Sequence, residues 1–195
     1  AAFTAANLTD SALVAYRRIA QLDPADIPAP LRIAQILTDT SRLKIDSTAQ
    51  VSAEVRSRVA SRVDSLVRRR AVPAAQRDSV LRALLKEEYA RQIADQLRPI
   101  DSLLTRVASM RTSSAGQPTD SAVWMNVAAM YLQPGAQLVQ KRVDFPLGAQ
   151  WLEKAMRYDV QRGQITTQAQ FFRGLAFFFQ LQPLDARLRE TKNCA

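Results

Sequence analysis

Histidine is absent from this chain, cysteine occurs once and glycine only five times. Each scarcity removes a class of chemistry. Without histidine the commonest general base is missing, and so is a zinc centre built on paired cysteines and histidines. The single Cys194 cannot close a disulfide within the chain. It reads as a free or intermolecular thiol, or as an early residue of a longer tail. The glycines are scattered from Gly116 to Gly174, so no glycine-rich loop cradles a phosphate. No Asp-x-Asp-x-Asp-Gly loop offers calcium a site, and no apolar run approaches the ~18 residues of a membrane span. Glu87 and Glu88 are adjacent, which on a helix sets them about 100° apart and keeps them from converging. The serines pair with no base. The expectation is a non-enzyme with no catalytic residue, no cofactor and no metal.

What is present favours helices. Alanine, leucine, arginine and glutamine are abundant, and no strand-and-turn rhythm of an all-β chain occurs. With 195 residues, 47% of them hydrophobic, the chain can bury about 70% of its unfolded surface. The net charge of +9 is uneven: residues 42–111 hold 15 basic and 8 acidic residues, whereas residues 1–41 hold three Arg and four Asp. Such a basic middle can attract nucleic acid, anionic lipid or an acidic partner, or it can simply be a solvated helical surface. The chain opens at Ala1-Ala2 without methionine. That fits a mature exported protein as well as a fragment; export to the periplasm or envelope is the expectation, a cytoplasmic setting its alternative.

Hydrophobic periodicity predicts about seven helices. Thr9-Asp10-Ser11 reads as an N-cap for a first helix that stops at Leu22-Asp23-Pro24, and Pro28 and Pro30 open a second. Asp46-Ser47 opens a long third helix carrying Val51, Val55, Val59, Val63 and Leu66; a fourth follows Pro73. Pro99 is expected to kink or break that fourth helix. The third and fourth helices are expected to form an antiparallel hairpin. Thr112 to Pro118 reads as a linker. Beyond it, one helix is expected to end near Gln133, with a loop from Pro134 to Asp144, then helices over about 146–158 and 167–182 and a short charged tail helix after Pro183. Three regions result: a helix pair over 1–45, a long basic hairpin over 46–111 and a helical region over 119–195. Six Asp-Ser dipeptides show no fixed spacing, and N-capping accounts for most of them.

The two ends resemble tetratricopeptide repeats. The residues that carry the resemblance are Trp124-x2-Val127-Ala128-x2-Tyr131 for a first helix and Gly148-x3-Leu152-x2-Ala155 for a second, with Gly174-x2-Phe177 opening a further one. At the other end, Ala12-x3-Tyr16-x2-Ile19-x4-Pro24 and Ile33-Ala34-x2-Leu37 match in the same way. Val160 stands where a closing proline belongs, and the middle third does not match. The resemblance implies stacked antiparallel helix pairs at the two ends, and with the long central hairpin expected from periodicity the fold is all-α. It also implies a non-catalytic module that binds protein partners as an assembly scaffold or adaptor, a subunit of a larger complex.

On that reading, Asn126, Tyr131, Gln170 and Arg173 line a concave partner-binding face. The alternative is a polyanion surface of Arg56, Arg58, Arg62, Arg68, Arg69 and Arg70, since guanidinium pairs well with phosphate. Nucleic acid is disfavoured because no aromatic residues are interleaved to stack bases; contact with the surface of an anionic membrane stays open. A holdase-type chaperone gripping clients with the hairpin is a further alternative. The run from Phe171 to Phe179 is expected to be sandwiched in the core, because a helix apolar on two faces normally has neighbours on both.

Overall fold

The computed structural model describes residues 2–39, 43, 45, 51–110 and 121–192, with side chains left undescribed over 2–7 and 183–192. The described residues form seven α-helices and no strand: α1 (Ala2–Leu22), α2 (Pro28–Thr38), α3 (Ala53–Arg68), α4 (Arg77–Met110), α5 (Ser121–Gln140), α6 (Phe145–Tyr158) and α7 (Gln164–Lys192), with one 3₁₀ turn at Ala74–Gln76. The fold is all-α, as the periodicity predicts. Helix α1 packs on α2, which packs on α4 and α5; α3 pairs with α4, and α5, α6 and α7 pack on one another.

One contiguous core runs from Ile27 to Ala176. It takes the stripe Ile93, Leu97, Ile100, Leu104 and Val107 from the second half of α4. The first half of α4 leaves the core and pairs with α3, where the Arg77 Nε donates to Asp64 Oδ1 at 2.7 Å. That hydrogen bond, with the charges of Arg77 and Arg68, holds the Asp64 carboxyl below the ordinary carboxylate range against the opposing effect of burial. At the other end of α4, Arg106 donates to the Pro24 carbonyl at 2.8 Å and ties the α1–α2 turn down.

Several helix ends differ from the sequence pattern, each for a physical reason. Helix α1 starts at Ala2, so Thr9-Asp10-Ser11 is interior; the alanine-rich stretch before it already favours helix. The cap of α3 is Ser52, whose Oγ accepts from Val55 N. Pro99 breaks nothing: α4 runs on to Met110 with Pro99 on its exposed side. Pro134 and Pro183 also lie inside continuous helices, so the loop expected over 134–144 shrinks to residues 141–144 and the tail helix is part of α7. Of the Asp-Ser dipeptides, Asp10, Asp64 and Asp101 are mid-helix. The linker at 112–118, Asp46-Ser47, Asp120 and Cys194 lie outside the described residues.

Two helices end in the same way, with an arginine in the left-handed region. At α3, Arg70 has φ 56°, its N–H reaches the Val67 carbonyl and the Ala71 N–H reaches Leu66. At α5, Arg142 has φ 54°; its N–H reaches Val139, and the Val143 N–H reaches Leu138. This is the Schellman pattern, in which glycine is the unstrained residue. Arg70→Gly is therefore expected to raise stability by about 0.5–1 kcal/mol, because the left-handed strain removed exceeds the entropy glycine adds to the unfolded chain. A shift of the urea midpoint upward would show it; an unchanged or lower midpoint would count against it.

The α6–α7 turn is held by Asp159, a buried carboxylate whose Oδ2 accepts from the Thr166 N–H at 2.8 Å and hydroxyl at 2.7 Å. Burial pushes this carboxyl up, but the Thr166 bonds and the nearby Gln161 and Gly163 N–H groups outweigh it and hold it below the ordinary carboxylate range. A carboxyl lowered on folding stabilises the fold above its unfolded value and loses that contribution as pH falls through the folded one. Asp159→Asn is expected to cost about 1–2 kcal/mol near neutral pH and to flatten the fall in stability below about pH 4. Urea titrations at a series of pH values check both.

Candidate interaction surfaces

Helices α1, α2 and α5 present a shallow trough to solvent. A hollow of about 360 Å³ is lined by Leu8, Thr9, Ala12 and Tyr16 of α1 and by Arg32, Gln35 and Ile36 of α2. A second hollow, of about 250 Å³, is lined by Gln35, Thr38 and Asp39 and by Asn126, Ala129, Met130 and Gln133 of α5. Gln35 borders both, so the two lie side by side with Gln35 of α2 between them. Its amide oxygen accepts from Arg32 at 2.9 Å, which fixes the orientation of the amide at the rim. A floor of mixed apolar and polar side chains, edged by Gln35, Asn126 and Gln133, suits an extended peptide, because each amide offers a donor and an acceptor to backbone groups.

The four residues expected on one concave face are placed apart. Asn126 lines the second hollow. Gln170 and Arg173 sit on α7, which lines neither hollow, and Arg173 lies 5.6 Å over its own Phe177 ring. Tyr131 is fully buried and cannot meet a partner. Its hydroxyl donates to Asp101 Oδ1 at 2.8 Å, and the Lys154 ammonium donates to the same oxygen at 2.5 Å. Burial first, then Asp101, hold the phenol well above its ordinary range, with the Thr105 hydroxyl pulling the other way. Tyr131 thus stays a protonated donor in a strut joining α4, α5 and α6. Its ring lies 5.1 Å from Trp151 and 5.5 Å from Tyr158. The alternation of large and small residues along α5 places Tyr131 in a helix; its inward direction comes only from where α4 and α6 stand.

The arginines of α3 and of the turn after it are all exposed. Arg58 pairs with Glu54. Arg56, Arg62, Arg68, Arg69 and Arg70 form no salt bridge among the described residues. Arg56 and Arg62 sit on different sides of the helix, six residues apart at about 100° per residue, so they do not make one flat phosphate-binding plane.

The phenylalanine run departs most from expectation. Ala169 and Ala176 of α7 face the core, and Phe172 packs against it. Phe179 stacks on Phe145 at 5.6 Å, with the Arg142 guanidinium 4.3 Å above its ring. Phe171, Phe177, Phe178 and Leu181 instead stand 48–65% exposed. The sandwich is therefore missing its outer slice among the described residues. Helix α1 shows a similar outward stripe: Leu8, Ile19 and Leu22, with Ala12 and Ala15 between them, and the three large residues are 43–70% exposed. The 4-3-4-3 spacing of that stripe is written in the sequence; the exposure of its large residues is not.

Among the described residues no group of three or more Asp, Glu or Cys side chains is placed to hold a metal ion, and no helix is long and apolar enough to cross a membrane. No protein family, curated protein or solved structure matches this chain.

Proposed function

We propose that this chain is a non-catalytic protein–protein interaction module, a scaffold or adaptor subunit whose α1–α2–α5 trough receives an extended segment of a partner. The trough, whose two hollows share Gln35, carries the reading. In the same proposal the α5–α6 pair is a divergent tetratricopeptide-like unit, with Gly148 as the small residue that lets the helices close, and the complex belongs to the envelope or is exported. The test is a photo-crosslinking residue in place of Asn126. A discrete protein adduct from native extract, lost when Ala129→Arg fills the hollow, is the expected result. An empty crosslink under several salt conditions, or adducts indifferent to Ala129→Arg, would overturn it.

A second reading rests on the exposed, unbridged arginines of the hairpin. A polyanion bound there would be lost steeply with added salt. Binding of duplex DNA, RNA or anionic vesicles that weakens when Arg56, Arg62 and Arg68–Arg70 are replaced by glutamine would favour it over the trough.

A further inference from the structure

Helix α7 carries a glycine that its own fold does not require. A Cβ built on Gly174 meets no atom within 4 Å. Glycine inside a helix costs about 1 kcal/mol relative to alanine, so the residue weakens the isolated chain without a packing return among the described residues. Around it, on the face about half a turn from the inward Ala169 and Ala176, stand exposed Phe171, Phe178 and Leu181. The four positions 171, 174, 178 and 181 are spaced three, four and three, the seam spacing of packed helix pairs. That spacing reads the same in both directions.

We propose that two copies of this chain dimerise through α7, antiparallel about a two-fold axis near residue 176. The register then sets Gly174 of each copy against Phe178 of the other, and Phe171 against Leu181. Each bulky ring finds a notch, and each notch is filled. The face suits a second copy on three further counts. It is self-complementary, as an isologous interface must be. Arg173 is the sole charged residue over positions 164–182, and it lies to the side over Phe177, so approach sets no like charges at the centre of the seam. Lastly, the exposed fractions of Phe171, Phe177, Phe178 and Leu181 correspond to about 400 Å² of apolar surface per copy. With the glutamine rim, the pair would bury about 1,200 Å², the lower bound for a specific interface. The dimer should therefore be weak, with dissociation in the micromolar range. This inference is independent of the trough, whose residues it leaves untouched.

Sedimentation equilibrium across a concentration series tests it. Wild type is expected to move from 21.7 kDa to twice that mass. Phe178→Glu and Gly174→Lys, both on exposed positions, should each weaken association by more than ~10-fold while far-UV circular dichroism stays unchanged. An equimolar mixture of the two variants should recover the dimer. The introduced ammonium of one copy then faces the introduced carboxylate of the other, and the second Gly174–Phe178 contact stays native. A wild type that stays monomeric to high concentration would overturn the proposal. So would a mixture that fails to recover, association that survives both variants, or association abolished instead by Ala15→Glu on α1. Monomeric protein that binds anionic vesicles through the same face would assign it to lipid and equally overturn it.

Discussion

Gly148→Val is expected to destabilise the fold by about 3 kcal/mol, lowering the melting midpoint by about 6–12 °C for a chain of this size. The two helices α5 and α6 approach closely where Gly135 and Gly148 meet. A Cβ on Gly148 would lie 2.8 Å from Val139 Cγ2, 3.2 Å from the Gly135 carbonyl oxygen and 3.2 Å from Leu138 Cβ. None of these can yield cheaply. Val139 is fully buried and stiff at χ1, and the Gly135 oxygen belongs to helix backbone. Helix α6 would have to move off α5 and open the core behind Leu152 and Ala155, both fully buried. Gly174→Ala provides the control with opposite sign. Its new methyl meets nothing, so the monomer should gain about 0.5–1 kcal/mol from helix propensity alone. Thermal melts at low protein concentration compare the two directly. Equal effects from both substitutions would refute the close approach of α5 and α6.

The second large effect is at Tyr131. Tyr131→Ala is expected to cost about 4 kcal/mol, since it empties the centre of the core and removes the ring that Trp151 and Tyr158 both pack against. Tyr131→Phe should cost only about 1 kcal/mol. It removes the bond to Asp101, yet Asp101 keeps Lys154 as a partner and stays partly open to water. The ratio between the two substitutions separates ring packing from the hydroxyl. Because the ring is buried, Tyr131→Phe should leave capture of a trough partner at Asn126 unchanged. Denaturant unfolding and the crosslinking yield measure the two quantities. A loss above ~3 kcal/mol for the phenylalanine variant would show that the strut, not the ring, holds these helices together.

Much of the architecture is legible because helix is a local property. Val59 and Val63 in α3, or Ile93, Leu97, Ile100 and Leu104 in α4, recur every three or four residues, and all six are buried. The readings of Pro99, Pro134 and Pro183 as helix breaks fail, whereas those of Pro24, Pro28 and Pro73 hold. A proline removes one hydrogen bond and adds one clash, a local loss that the sequence displays. What offsets it is a neighbour elsewhere in the chain. Pro134 stays helical because the turn after it, Gly135 to Val139, is clamped against Gly148, Trp151 and Leu152. The candidate site is only partly legible for a related reason. Asn126 can be placed on the open side of α5, but its trough companions Gln35 and Asp39 come from α2 and its C-cap, far earlier in the chain, and no periodicity links them.

The sequence by itself determined that this is a helical protein, where most of its helices run and which side chains, histidine above all, it lacks, because backbone preference and side-chain inventory are set within a few positions. Only the tertiary structure decided the direction of each apolar face. It turned Tyr131 inward and Phe171 and Phe178 outward. It pressed Gly148 against Val139, Leu138 and the Gly135 carbonyl while leaving Gly174 open, because burial depends on which helix stands opposite and the chain meets that helix far away along its length.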